Sequence, residues 1–150
     1  MGLKTKIEGD LKEALLARDT AKVTVLRGLK AVILDAEVAG GKREDGLADA
    51  EIEKLISREV KRRREAIAMY EANGRGDLVE SEKFEQGVLE GYLPKQMSED
   101  EIRAKIDDVL VSLPEGEMAN MGMVIGKVKM LVGNSADGAT VARLVKEKIG

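Results

Sequence analysis

The chain contains neither cysteine nor histidine. Without thiols there is no disulfide, no thiolate nucleophile and no Cys-ligated metal. Without imidazole, the commonest metal ligand and the usual general base near neutral pH are both missing. Aromatic residues are limited to Tyr70, Phe84 and Tyr92, and tryptophan is absent. A core must therefore be assembled from Leu, Ile, Val, Met and Ala. That composition favours helix-on-helix packing over sheets, which draw on aromatic and β-branched runs. No apolar run approaches the roughly 18 residues of a membrane span. The start, Met1-Gly2-Leu3-Lys4, turns polar at once and carries no signal-peptide core. No Gly-x-Ser-x-Gly, P-loop or dinucleotide fingerprint is present. The expectation is a soluble, cytoplasmic protein with no membrane association, no catalytic residue, no metal and no cofactor.

What is present is charge and aliphatic periodicity. Charged residues make up 35% of the 150 positions and hydrophobic ones 43%, enough for one ordinary domain or two small ones. The net charge of −3 is unevenly spread. Residues 99–117 hold seven acids against Arg103 and Lys105, and residues 118–150 hold five bases against Asp137 and Glu147. The last segment is thus suited to face an anion although the chain as a whole is acidic.

The stretch Val88–Ser98 divides the chain. Pro94 lacks a backbone donor and disfavours helical angles at Leu93, so an incoming helix should stop near Gly91–Leu93. Ser98-Glu99-Asp100-Glu101 is a capping box that opens a new helix. A boundary here predicts an N-terminal domain over 1–93 and a C-terminal one over 94–150.

Spacing predicts seven helices and an all-α fold. Leu3, Ile7, Leu11 and Leu15 mark the first. Asp19 caps the second, which carries Leu26, Leu29 and Ile33 and ends at Gly40-Gly41. The third runs from about Asp49 to Ala72 on a thin stripe of Ile52, Leu55, Ile56, Val60, Ile67 and Tyr70. A helix so narrow in its apolar face should pair with the fourth, which carries Leu78, Phe84, Val88 and Leu89, as a long charged hairpin. Glu80, Glu82 and Glu85 are its candidate answers to the third helix's arginines. Three shorter helices follow: Ile102–Leu113, stopped by Pro114; Met121–Val128; and one capped by Asp137 with Val141, Leu144, Val145 and Ile149. They predict a small C-terminal three-helix bundle.

Three features are candidates for binding. Lys61-Arg62-Arg63-Arg64 is the densest basic run. Consecutive helical positions lie about 100° apart, so the four cannot form one phosphate-reading stripe. They serve either as ion pairs to the fourth helix or as a secondary nucleic-acid surface. Gly122 and Gly126 lie on one face of a short helix, where each glycine costs about 1 kcal/mol relative to alanine. They call either for close helix packing or for close approach of a large ligand, with Lys127 and Lys129 at hand for phosphates. Arg143, Lys146 and Lys148 either complement a helix C-terminus or extend the same anion-binding surface.

Several ordered pieces carry a family resemblance: Leu26-Arg27-Gly28-Leu29-Lys30 with Glu37, Glu59-Val60-Lys61-Arg62-Arg63-Arg64-Glu65-Ala66 with Tyr70, and Gly74-Arg75-Gly76-Asp77-Leu78. Glu90-Gly91-Tyr92-Leu93-Pro94-Lys95-Gln96-Met97-Ser98 and Met121-Gly122 through Ala136-Asp137-Gly138 complete the set. Together they resemble the YqeY family, small bacterial proteins of the GatB/YqeY group. Two positions depart from that pattern: Met123 stands where a basic residue is usual, and Ala48 where Thr or Ser is. The resemblance implies a C-terminal bundle similar to the tail of the GatB subunit of the tRNA-dependent amidotransferase, which helps hold tRNA. It also brings a family-level label, carbon–nitrogen ligase with glutamine as amido-N-donor. The missing nucleophile and ATP site argue against that activity for this chain alone. The expectation is a non-catalytic tRNA-binding accessory protein acting through Gly122, Gly126, Lys127, Lys129, Arg143, Lys146 and Lys148, with a possible protein partner in the aminoacyl-tRNA pathway. The alternative is a protein-interaction adapter acting through the charged hairpin.

Overall fold

Helical periodicity is realised along the chain. The computed structural model describes residues 2–117 and 120–150, so Met1 of the polar start lies outside it. Among the described residues there are seven α-helices and no strand: α1 Leu3–Leu16, α2 Thr20–Ala39, α3 Asp49–Ala72, α4 Gly76–Glu90, α5 Glu99–Ser112, α6 Met121–Val132 and α7 Gly138–Ile149. None of them is long and apolar enough to cross a membrane. The helices form two compact units, Met1–Leu93 and Pro94–Gly150.

The first unit packs α1, α2, the first half of α3 and the end of α4 around Ile7, Leu11, Leu26, Leu29, Ile33, Ile52, Ile56, Val60 and Leu89. On α1 the four-residue spacing drifts by about 40° per step. By Leu15 the stripe has therefore turned away from the core: Leu15 is 46% exposed, and Ala14 takes the inward place at 4%. The Asp19 side chain accepts the Lys22 N–H at 3.2 Å and starts α2. Gly41, at φ +67°, lies just beyond that helix's last cap. Ala48 gives α3 no side-chain cap, but Asp49 and Glu51 in the first turn complement its N-terminal dipole. Gly74, at φ +69°, turns the chain back into α4.

Beyond Val60, α3 and α4 pack on each other as a hairpin. Val79 is buried there, with Ile67, Tyr70 and Leu78 partly so. Phe84, expected in this stripe, is instead 44% exposed. It stands about 140° around the axis from both Val79 and Leu89, the two positions the hairpin buries. Two polar contacts fasten the unit. The Tyr92 hydroxyl donates to Asp10 Oδ2 at 2.6 Å, and burial, then this bond, pushes the phenol's pKa up. Glu37, only 1% exposed, accepts from Lys4 Nζ at 3.0 and 2.9 Å and from the Leu47 N–H at 3.3 Å. Its carboxyl is held below the ordinary 4.5, chiefly by the Lys4 hydrogen bond.

The second unit begins at Pro94. The Met97 N–H donates to Ser135 O at 2.8 Å, and the Gln96 amide donates to Asn134 O at 3.1 Å, tying the segment that enters this unit to the turn before α7. The capping box is complete: the Glu101 N–H donates to Ser98 Oγ, and the Ser98 N–H donates to Glu101 Oε1, each at 3.2 Å. The Ser98 backbone N–H first, and the Ser98 side chain second, hold the Glu101 carboxyl below its ordinary value. Leu113 is extended ahead of Pro114 and ends α5. The core is Ile102, Ile106, Val109, Leu113, Val124, Val128, Val132, Val141, Leu144 and Val145. Each fully buried aliphatic side chain contributes about 1.5–3 kcal/mol, which lets three short helices hold together.

Candidate nucleic-acid interface

The site is built outward from the valines of α6. Val124, Val128 and Val132 face the core. At about 100° per residue, Gly122, Gly126 and Met130 then share the opposite face. Lys129 stands about 60° to one side of Gly126 and Lys127 about 100° to the other. Asn120 starts the helix by accepting the Met123 N–H at 3.2 Å. An Asn immediately before an apolar run is an N-cap signal that the reading of the sequence above passed over.

Among the described residues of this unit, nothing packs against the two glycines. Among the described residues, a β-carbon built at Gly126 would meet nothing within 4 Å, and one at Gly122 would meet Asn120 Oδ1 at 3.7 Å. No neighbouring helix of the unit uses the missing side chains, because the core lies on the other side of α6. Met130 on the same face is 86% exposed. The result is a stretch of helix backbone open to solvent.

The five basic candidates fall into two groups. Arg143 and Lys148 are paired with acids. Arg143 donates to Glu99 at 2.5 Å and to Glu147 at 3.1 Å, and these two bonds, in that order, push its pKa up. Lys148 lies 2.8 Å from Asp107. Arg103 joins the same network through Glu99 at 3.4 Å, Asp100 at 3.0 Å and Glu147 at 3.9 Å. The acidic stretch of α5 thus neutralises part of the basic stretch of α7. Lys127, Lys129 and Lys146 are exposed and make no ion pair among the described residues. The Lys129 side chain reaches over the start of α7: a β-carbon at Gly138 would stand 3.3 Å from its Nζ. An open helix face flanked by unpaired ammonium groups can take phosphate oxygens without breaking an existing contact.

The secondary basic run is largely occupied. Arg63 turns inward, at 2.7 Å from Glu85, 3.4 Å from Glu82 and 3.7 Å from Glu59. Arg62 pairs with Glu59 at 3.2 Å and Arg64 with Glu90 at 3.4 Å. Lys61 is exposed. Glu82 and Glu85 do answer the arginines, and Glu90 adds a contact that the helical spacing did not single out. The Glu82 carboxyl is pushed above its ordinary value by burial first and by the neighbouring Glu85 second. Arg63 Nε and Glu82 Oε2 are buried without a well-aligned hydrogen bond.

Comparison with known proteins covers nearly the whole chain. Residues 4–149 match the family described as Yqey-like protein, YqeY. Three relatives share the name "Altered inheritance of mitochondria protein 41, mitochondrial". The one from Kluyveromyces lactis is 31% identical over 126 residues, 81% of this chain and 66% of the relative. That from Lachancea thermotolerans is 35% identical over 112 residues, 73% of this chain and 58% of the relative. That from Pyrenophora tritici-repentis is 26% identical over 148 residues, 97% of this chain and 80% of the relative. The chain therefore spans 66% and 58% of the length of the first two relatives.

Proposed function

Because the chain belongs to the YqeY family, we propose that it is a non-catalytic tRNA-binding accessory module whose C-terminal bundle acts like the tail of the amidotransferase GatB subunit. The observation that carries this reading is the outer face of α6. Among the described residues, Gly122 and Gly126 have no packing neighbour, and Lys127 and Lys129 flank them without an ion pair. Gly126, in the interior of α6, costs about 1 kcal/mol relative to alanine, and Gly122 leaves the first turn of the helix bare. A rigid RNA backbone approaching the bare helix offsets that cost in the bound state. Affinity would come from phosphate contacts made by Lys127, Lys129 and Lys146. Arg143 and Lys148 would contribute less, since their acidic partners must first be displaced. With so few aromatics, recognition would follow backbone shape rather than base stacking. Bulk cytoplasmic tRNA is the proposed ligand, although the matched relatives carry "mitochondrial" in their names.

Binding of bulk tRNA to the full chain at about 50 and about 200 mM salt tests the reading, over a range where phosphate-driven affinity falls steeply. The expected result is binding at low salt that weakens sharply at high salt and is abolished in a Lys127→Glu/Lys129→Glu variant. Absence of binding at low salt would contradict it. The adapter reading would then gain ground, with exposed Met69 and Phe84 on the α3–α4 hairpin as its contact surface.

A further inference from the structure

A second site lies in the first unit, far in sequence from α6 and independent of the tRNA reading. Between α1, α2 and the loop after α2 is a pocket of about 290 Å³. Its floor is Ile7 and Ile33, both buried, and one wall is Leu34, which is left 41% exposed. Lys30 and Arg43 line it as well and make no ion pair among the described residues. We propose that this pocket binds a small amphipathic acid, its apolar chain on Ile7, Ile33 and Leu34 and its single carboxylate held by Lys30 and Arg43.

The charges of the pocket select that ligand. Lys4 and Glu37 are committed to each other at 2.9 Å. That leaves Lys30 and Arg43 against Glu8, a surplus of one positive charge suited to a monoanion. The planar fork of an arginine matches a carboxylate in bidentate geometry. A purely polar anion would leave the Ile and Leu surface unsatisfied, and a purely apolar molecule would desolvate two cations without pairing them.

Glu37 is a positioning residue for this site. Its carboxylate accepts the Leu47 N–H, and the same Oε2 lies against Gly46, where a β-carbon would stand 3.3 Å away and φ is +77°. The buried carboxylate therefore pins the loop that carries Arg43. This gives a physical reason for a fully buried acid in a unit whose core is mostly aliphatic.

Decanoate, kept below its micellar concentration, is the probe, with decanol as the uncharged comparison. Titration of the full chain would be followed by backbone amide shifts. The expected result is a saturable shift at Ala31, Leu34 and Arg43 with decanoate and a much weaker one with decanol. In a Lys30→Glu/Arg43→Glu variant, affinity should fall about a hundredfold or more, the loss of two charge-assisted hydrogen bonds. Both substitutions are at exposed positions, and unchanged helicity would confirm that the variant folds. Equal affinity for decanol, an unchanged variant, or shifts that appear only elsewhere would each overturn the proposal.

Discussion

Gly126 carries the sharpest consequence at the residue scale. Among the described residues nothing within 4 Å would obstruct a methyl group there, so helix propensity decides the effect on stability. Gly126→Ala should stabilise the chain by about 1 kcal/mol in urea unfolding while weakening tRNA binding several-fold. Had the glycine served packing, the same change would destabilise. The sequence could not separate these cases, because spacing puts Gly122 and Gly126 on one face but does not say which face meets the core. Caps were easier to read. Asp19, Ser98 and Asp137 all accept their expected helical N–H groups, because a cap depends only on residues two or three positions away. Leu15 and Phe84 are exposed because the buried stripe turns about the helix axis: a four-residue spacing carries Leu15 off the inner face, and Phe84 lies about 140° from Val79 and Leu89.

Among the elements, the α3–α4 hairpin holds its charges under some tension. Arg63 meets Glu59, Glu82 and Glu85 at once, and Glu82 is pushed above its ordinary carboxyl value by burial and by Glu85. A raised folded value means that the folded state keeps a proton the unfolded state has already lost. Stability from this group therefore rises as pH falls through its folded value towards 4.5, and is absent above that window. Glu82→Gln removes the burdened charge while Glu85 continues to pair Arg63. Thermal unfolding at neutral pH should show the variant melting a few degrees above wild type, with the gap closing on acidification through that window. A variant that melts lower at neutral pH would mean that the Arg63–Glu82 contact outweighs the desolvation of Glu82. The hairpin itself was legible from its thin stripe and from the acids of α4. The pairing of α5 with α7 was not, since Glu99 and Arg143 stand 44 residues apart, and charge counts alone do not show which cations are neutralised.

Across the whole molecule, the all-α fold and the family were legible from composition, helical periodicity and ordered motifs. Which cations stay available was not, because that is settled by tertiary pairing. Of the seven residues nominated for RNA, the account now rests on Gly122, Gly126, Lys127, Lys129 and Lys146, the ones left open or unpaired. The most direct measurement is a tRNA titration of the full chain at low salt, followed by backbone amide shifts. The account predicts the largest changes at Gly122, Gly126, Lys127 and Lys129. Saturable changes confined to α3 and α4, or no changes at all, would contradict it.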